Sequence, residues 1–74
     1  MIPDWMIIGA FRYCLGRMTY IVSDCTEWLI DNKNDIDRCT REIIVKEIND
    51  ALDRDRAGMD MDRRRWRVVL KVFK

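Results

Sequence analysis

Few side chains in this 74-residue chain could carry out covalent or proton-transfer chemistry. It has no histidine and three cysteines, Cys14, Cys25 and Cys39. Ser23 stands beside Asp24, whose carboxylate is too acidic to act as its base. A structural zinc needs about four thiolate or imidazole ligands, and no CxxC spacing supplies them. No glycine-rich phosphate loop and no glycosidase-like carboxylate pair can be placed. The many Asp and Glu residues fall on helical segments, where they read as a solvated face. These absences point away from catalysis and lead us to expect neither cofactor nor metal.

Binding chemistry is better represented. Arg63, Arg67, Lys71 and Lys74 recur at i, i+4, i+8 and i+11, with Arg64 alongside. On a helix they form one basic ridge suited to phosphates or to an acidic protein surface. Two plainer accounts compete: neutralisation by Asp50, Asp53, Asp55, Asp60 and Asp62, or cations placed to suit the helix dipole. A second grouping lies between Phe11 and Tyr20, where Arg12 and Arg17 sit among Phe11, Tyr13 and Tyr20. Such an arginine can stack on a ring or hold a carboxylate in its fork. The alternative is a clamp within the domain, for instance Arg17 to Asp24. Trp5, Arg12 and Tyr13 share the outer face of the first helical segment and form the candidate aromatic contact surface.

The elements that would position these groups are helices. Asp4 is a suitable N-cap, and residues 5–15 run to Gly16 without a breaker. Ile7, Ile8, Ala10, Phe11, Cys14 and Leu15 occupy its core face. Gly9 lies on the opposite face, where it admits either another helix of the domain or a partner. Gly16 is placed as a left-handed stop. Thr19 or Ser23 then caps a second helix with Ile21, Cys25, Trp28 and Leu29 inward, ending at the polar turn 31–34. Asn34 or Asp35 opens the longest helix. Its inward set is Ile36, Cys39, Thr40, Ile43, Ile44, Ile48, Ala51 and Leu52, and it runs to about Arg56 with Gly58 beyond. Arg38–Glu42 and Glu42–Lys46 are i,i+4 pairs on its surface. Asp60 or Asp62 caps the last helix, with Trp66, Val69, Leu70 and Phe73 inward. Val68 and Val72 make a smaller apolar patch on its far side, to be covered by the domain or by a second chain. The expected fold is all-α: a single small domain, residues 1–74, of about four short helices without strands.

Charge is dense but nearly balanced, 14 basic against 13 acidic residues, and eleven of the basic residues lie from Arg38 onward. The three cysteines read as small buried hydrophobes in a reducing cytosol. The N-terminal apolar run is broken by Pro3-Asp4 and Arg12 and is shorter than the ~20 residues of a membrane span. A soluble cytoplasmic protein without a membrane partner is expected.

Residues 10–20, Ala-Phe-Arg-Tyr-Cys-Leu-Gly-Arg-Met-Thr-Tyr, resemble the FRYxLGRxTY pattern of small proteins encoded by phages and prophages. In that pattern the arginine–tyrosine helix is followed by short helices and a tryptophan near the C-terminus, as Trp66 is here. The resemblance is close over residues 5–20 and loose beyond them. It implies a phage accessory protein in the host-cell cytoplasm and transfers no catalytic residue. Proteins of this kind are suspected of inhibiting host defence systems such as CRISPR nucleases. The function expected is therefore inhibition, by protein–protein contact, of a host defence or nucleic-acid-processing protein. Direct DNA or RNA binding through the basic C-terminal helix is the first alternative, and a small structural phage protein the second. A homodimer is compatible with each.

A fold that needs neither metal nor disulfide should give a helix-rich far-ultraviolet circular dichroism spectrum unchanged by chelator or thiol reductant. Loss of helical signal in either reagent would contradict this reading.

Overall fold

The computed structural model describes residues 2–73. Four helices form the protein: α1 (Asp4–Cys14), α2 (Thr19–Asp31), α3 (Arg38–Asp53) and α4 (Asp60–Phe73), with a 3-10 turn at Lys33–Asp35 between α2 and α3. The described residues contain no strand, so the all-α, four-helix expectation holds. No helix among them is long and apolar enough to cross a membrane.

The helix starts differ from the expected ones in instructive ways. Pro3, not Asp4, is the N-cap of α1, and its carbonyl accepts from the Met6 and Ile7 amides at 3.0 and 3.2 Å. Asp4 therefore occupies the first helical position. Met18 caps α2 without a side-chain hydrogen bond, so neither Thr19 nor Ser23 serves as its cap. The long helix begins at Arg38, later than Asn34 or Asp35, which are spent in the 3-10 turn. Its true cap is Asp37, in extended conformation, whose carboxylate accepts from the Thr40 amide at 2.8 Å. Ile36 thus precedes α3 but is still buried, anchoring the turn. At the last helix, Asp60 is the first helical residue and Asp62 is buried at 2% exposure, so neither is the N-cap.

The helix ends have clear causes. Gly16 has φ +80, as expected of the residue that stops α1, and the Leu15 amide bonds the Phe11 carbonyl. A Cβ at Gly16 would stand 2.9 Å from the Arg56 carbonyl oxygen, so the α1–α2 turn is pressed against the α3–α4 loop. Helix α3 stops at Asp53, short of Arg56, because the left-handed residue is Asp55 (φ 57), three positions before Gly58. The Arg56 amide then reaches back to the Ala51 carbonyl at 2.7 Å and the Asp55 amide to Leu52 at 3.4 Å, a Schellman closure. Aspartate tolerates this conformation better than a β-branched residue would.

The core lies where the four inward faces meet. Phe11 and Trp66, both fully buried, pack edge to face with centroids 5.5 Å apart and planes at 85°. Around them stand Ile7, Val22, Leu29, Ile44, Ile48, Val69 and Phe73, and Ala57 fills the α3–α4 loop. The inward face of α2 is rotated from the expected one: Val22, Thr26 and Leu29 are buried, whereas Trp28 is 38% exposed. The Thr26 hydroxyl is accommodated by donating to the carbonyls of Val22 (2.8 Å) and Ser23 (3.1 Å). Ala10 and Cys39 are exposed, contrary to expectation, and Cys14 and Cys25 are half-buried. In α3 the buried register is Thr40, Ile44, Ile48 and Ala51, which turns Cys39 toward solvent.

The environments of Gly16 and Gly9 predict opposite effects. Gly16→Val places a β-branched side chain at positive φ against a backbone oxygen and should cost at least about 2 kcal/mol. Nothing lies within 4 Å of a Cβ at Gly9, so Gly9→Ala should stabilise the monomer by about 1 kcal/mol through helix propensity. Thermal melts in dilute solution should show the first variant melting well below the parent and the second slightly above it.

Candidate binding surfaces

The sequence-predicted contact residues separate into two surfaces. Because Phe11 and Trp66 meet from the inner sides of α1 and α4, the outer faces of those helices point away from one another. Trp5 and Tyr13 lie on the α1 side; Arg63, Arg64, Arg67 and Lys71 lie on α4. Lys74 falls outside the described residues.

On α4 the basic ridge is not uniform. Arg63 is folded back onto the end of α3, donating to Asp55 Oδ1 at 2.6 Å and to the Leu52 carbonyl at 3.2 Å. Its side chain is only 20% exposed, against 88% for Asp55. A cation at the C-terminal carbonyls of α3 also meets the negative end of that helix dipole. Arg63 is thus a strap between helices. Arg64, Arg67 and Lys71, at i, i+3 and i+7, are exposed and carry no ion pair among the described residues. Val68 and Met61 are exposed beside them, while Val72 is half-buried against the core. The rival acidic cluster is depleted: Asp62 is buried and Asp55 is held by Arg63.

On α1, Arg12 is engaged inside the molecule. Its Nε and Nη2 reach the Glu47 carboxylate of α3 at 2.8 and 2.7 Å, a two-pronged pair. Glu47 accordingly holds the guanidinium above its ordinary pKa, through the hydrogen bond first and the charge second. Arg17 does not meet Asp24. It donates from Nε to the Tyr13 carbonyl at 3.0 Å and lies over the Tyr13 ring at 4.6 Å. Trp5 and Tyr13 remain 73% and 57% exposed. At the start of α1, Asp4 and Asp37 share a hydrogen bond that raises the pKa of Asp4 and lowers that of Asp37, whose carboxylate also accepts from Thr40.

A third surface escaped sequence reasoning. Lys33, Arg38, Arg41 and Lys46 line an open groove of about 630 Å³ between α3 and the end of α4, floored by Val45 and Phe73. Its one acidic residue, Glu42, is paired with Arg38 at 3.1 Å. No Glu42–Lys46 ion pair forms among the described residues. The signal was present on the α3 wheel, where Arg38 and Lys46 fall away from the buried register and Arg41 borders it, but i,i+4 pairing with Glu42 accounted for Arg38 and Lys46 one at a time.

Cys14 and Cys25 are adjacent. Burial pushes the Cys25 thiol up in pKa, reinforced by a hydrogen bond with Cys14, which keeps it protonated and unreactive. No group of three or more His, Cys, Asp or Glu side chains among the described residues is placed to hold a metal. In comparisons with protein-family models, with curated proteins and with solved structures, none matches this chain.

The Asp4–Asp37 pair gives a pH prediction with a definite sign. Asp4, raised, favours folding below its unfolded pKa and loses that contribution as pH rises through its folded value. Asp37, lowered, contributes above its unfolded pKa and loses it as pH falls through its folded value. Asp4→Asn keeps a donor for Asp37 at every pH. It should therefore melt higher than the parent at neutral pH, with the advantage shrinking as pH falls into the acid range and Asp4 takes up its own proton. Paired thermal melts across that range check it.

Proposed function

We propose that this protein acts by binding a macromolecule, not by catalysis, and that it presents the Arg64, Arg67 and Lys71 face of α4 to an acidic surface of a target protein. The observation that carries the reading is that face itself: three exposed cations without a carboxylate partner among the described residues, flanked by the exposed apolar side chains of Val68 and Met61. Apolar contact beside convergent charge suits a protein partner, because the charges steer association while the apolar atoms contribute burial. The resemblance of residues 10–20 to small phage proteins supplies the biological direction: a phage-encoded inhibitor of a bacterial defence or nucleic-acid-processing protein, of the anti-CRISPR kind, working in the host cytoplasm. No membrane partner is needed.

Direct DNA or RNA binding is the second reading, and the groove lined by Lys33, Arg38, Arg41 and Lys46 favours it. Four cations along one groove could follow a phosphate backbone. The readings separate by salt and by site. Phosphate binding to a mixed-sequence duplex weakens steeply with salt and should fail in Arg41→Glu/Lys46→Glu. A protein inhibitor leaves free nucleic acid alone.

The decisive experiment identifies the target by pull-down from host lysate and then measures affinity for the purified partner. Reversal of Arg64, Arg67 and Lys71 to glutamate should preserve the helical spectrum and weaken binding at least about tenfold, roughly 1.4 kcal/mol. Arg63 is left intact, because its reversal would break the strap to Asp55 and confuse folding with binding. Normal target binding by the triple variant would reject the α4 surface.

A further inference from the structure

Helix α1 is apolar on both sides. Among its eleven residues only Asp4 and Arg12 are charged, and Arg12 is turned toward Glu47. Ile7 and Phe11 are buried, yet the opposite side exposes Trp5, Met6, Gly9 and Tyr13, with Ala10 exposed at its edge. A helix hydrophobic all round is ordinarily buried all round. Gly9 sharpens the point. It sits mid-helix, at a helix-propensity cost of about 1 kcal/mol relative to alanine, and no part of the chain approaches the position a Cβ would take. Nothing within the monomer uses the room it leaves.

We propose that the outer face of α1 binds a second copy of this chain, the two α1 helices crossing antiparallel at Gly9 about a two-fold axis. The occupant follows from the register and from the area it covers. Gly9 is the middle residue of Asp4–Cys14. Trp5 and Tyr13 are each four positions from it, about 6 Å along the axis at 1.5 Å per residue. An antiparallel crossing therefore lays Trp5 of one protomer against Tyr13 of its partner, twice, with the glycines letting the backbones come close between them.

An isologous interface requires this matching of a patch with itself. The apolar groove of about 340 Å³ beside the face, lined by Met6, Ala10 and Trp28 among others, continues the surface toward α2. Covering Trp5, Tyr13, Met6 and Ile2 removes about 500 Å² per copy, some 1,000 Å² in all, near the lower bound for a specific interface. The dimer is accordingly weak and concentration-dependent.

Sedimentation equilibrium of the full chain tests the proposal. The parent should show a monomer–dimer equilibrium in the micromolar range. Gly9→Gln, which meets nothing inside the monomer, should keep the far-ultraviolet spectrum and raise the dimer Kd at least about tenfold. In a Cys39→Ser background, Gly9→Cys should form an intermolecular disulfide under mild oxidation, because the two positions face each other at the axis. A parent that stays monomeric up to about 200 μM, a dimer indifferent to Gly9→Gln, or a Gly9→Cys variant that fails to cross-link would each overturn the assignment. The α4 reading is untouched by these outcomes, since it rests on a different face.

Discussion

The edge-to-face contact of Phe11 with Trp66 is the constraint on which the other features depend. These are the two largest fully buried side chains, and they come from the first and last helices. Ring edges bear partial positive charge and ring faces partial negative charge, so this geometry adds attraction beyond burial. In a chain of this size the net stability is only about 4–11 kcal/mol, and loss of one large buried aromatic costs about 3–5. The α1–α4 contact is therefore a large part of what separates the folded chain from the unfolded one. It also sets the outer faces of α1 and α4 on opposite sides of the molecule, which separates the aromatic surface from the basic one.

Two arginines are used as fasteners around this core. Arg12 holds α1 to α3 through Glu47, and Arg63 holds α4 to the end of α3 through Asp55 and the Leu52 carbonyl. Both use the planar fork of the guanidinium, which a lysine could not imitate. At the exposed Arg12–Glu47 pair, screening by solvent makes the gain in orientation more important than the gain in energy. What remains exposed and unpaired among the described residues after these pairings is informative by subtraction: Arg64, Arg67 and Lys71 on one side, and Lys46 of the α3 groove on another.

The opposed surfaces have a joint consequence. A two-fold contact through α1 directs both α4 faces outward, and a target with repeated or oligomeric binding sites would then meet two cationic faces at once. Linked binding of that kind raises apparent affinity without any new contact, provided the spacing fits. A weak dimer would make such affinity depend on protein concentration.

Helical periodicity in the sequence determined the number and order of helices, the inward residues of α4 and the stop at Gly16, because these follow from local spacing and from the backbone freedom of a single residue. Tertiary structure decided the rest. The caps at Pro3 and Asp37 and the early end of α3 at Asp53 were settled by competing turns that local propensity ranks almost equally. The rotation of α2 that buries Thr26 and leaves Trp28 partly exposed depended on which face met α4, since the hydroxyl could be satisfied by its own helix. The fates of Arg12, Arg17 and Arg63 could not be read from spacing, because their partners lie on other elements or on the backbone itself. Asp62, counted with the surface acids, is buried beside Gly58, which has no side chain to exclude it. Sequence periodicity specifies which side of a helix turns inward, but charges pair across helices, and only their three-dimensional meeting leaves a given cation occupied or exposed.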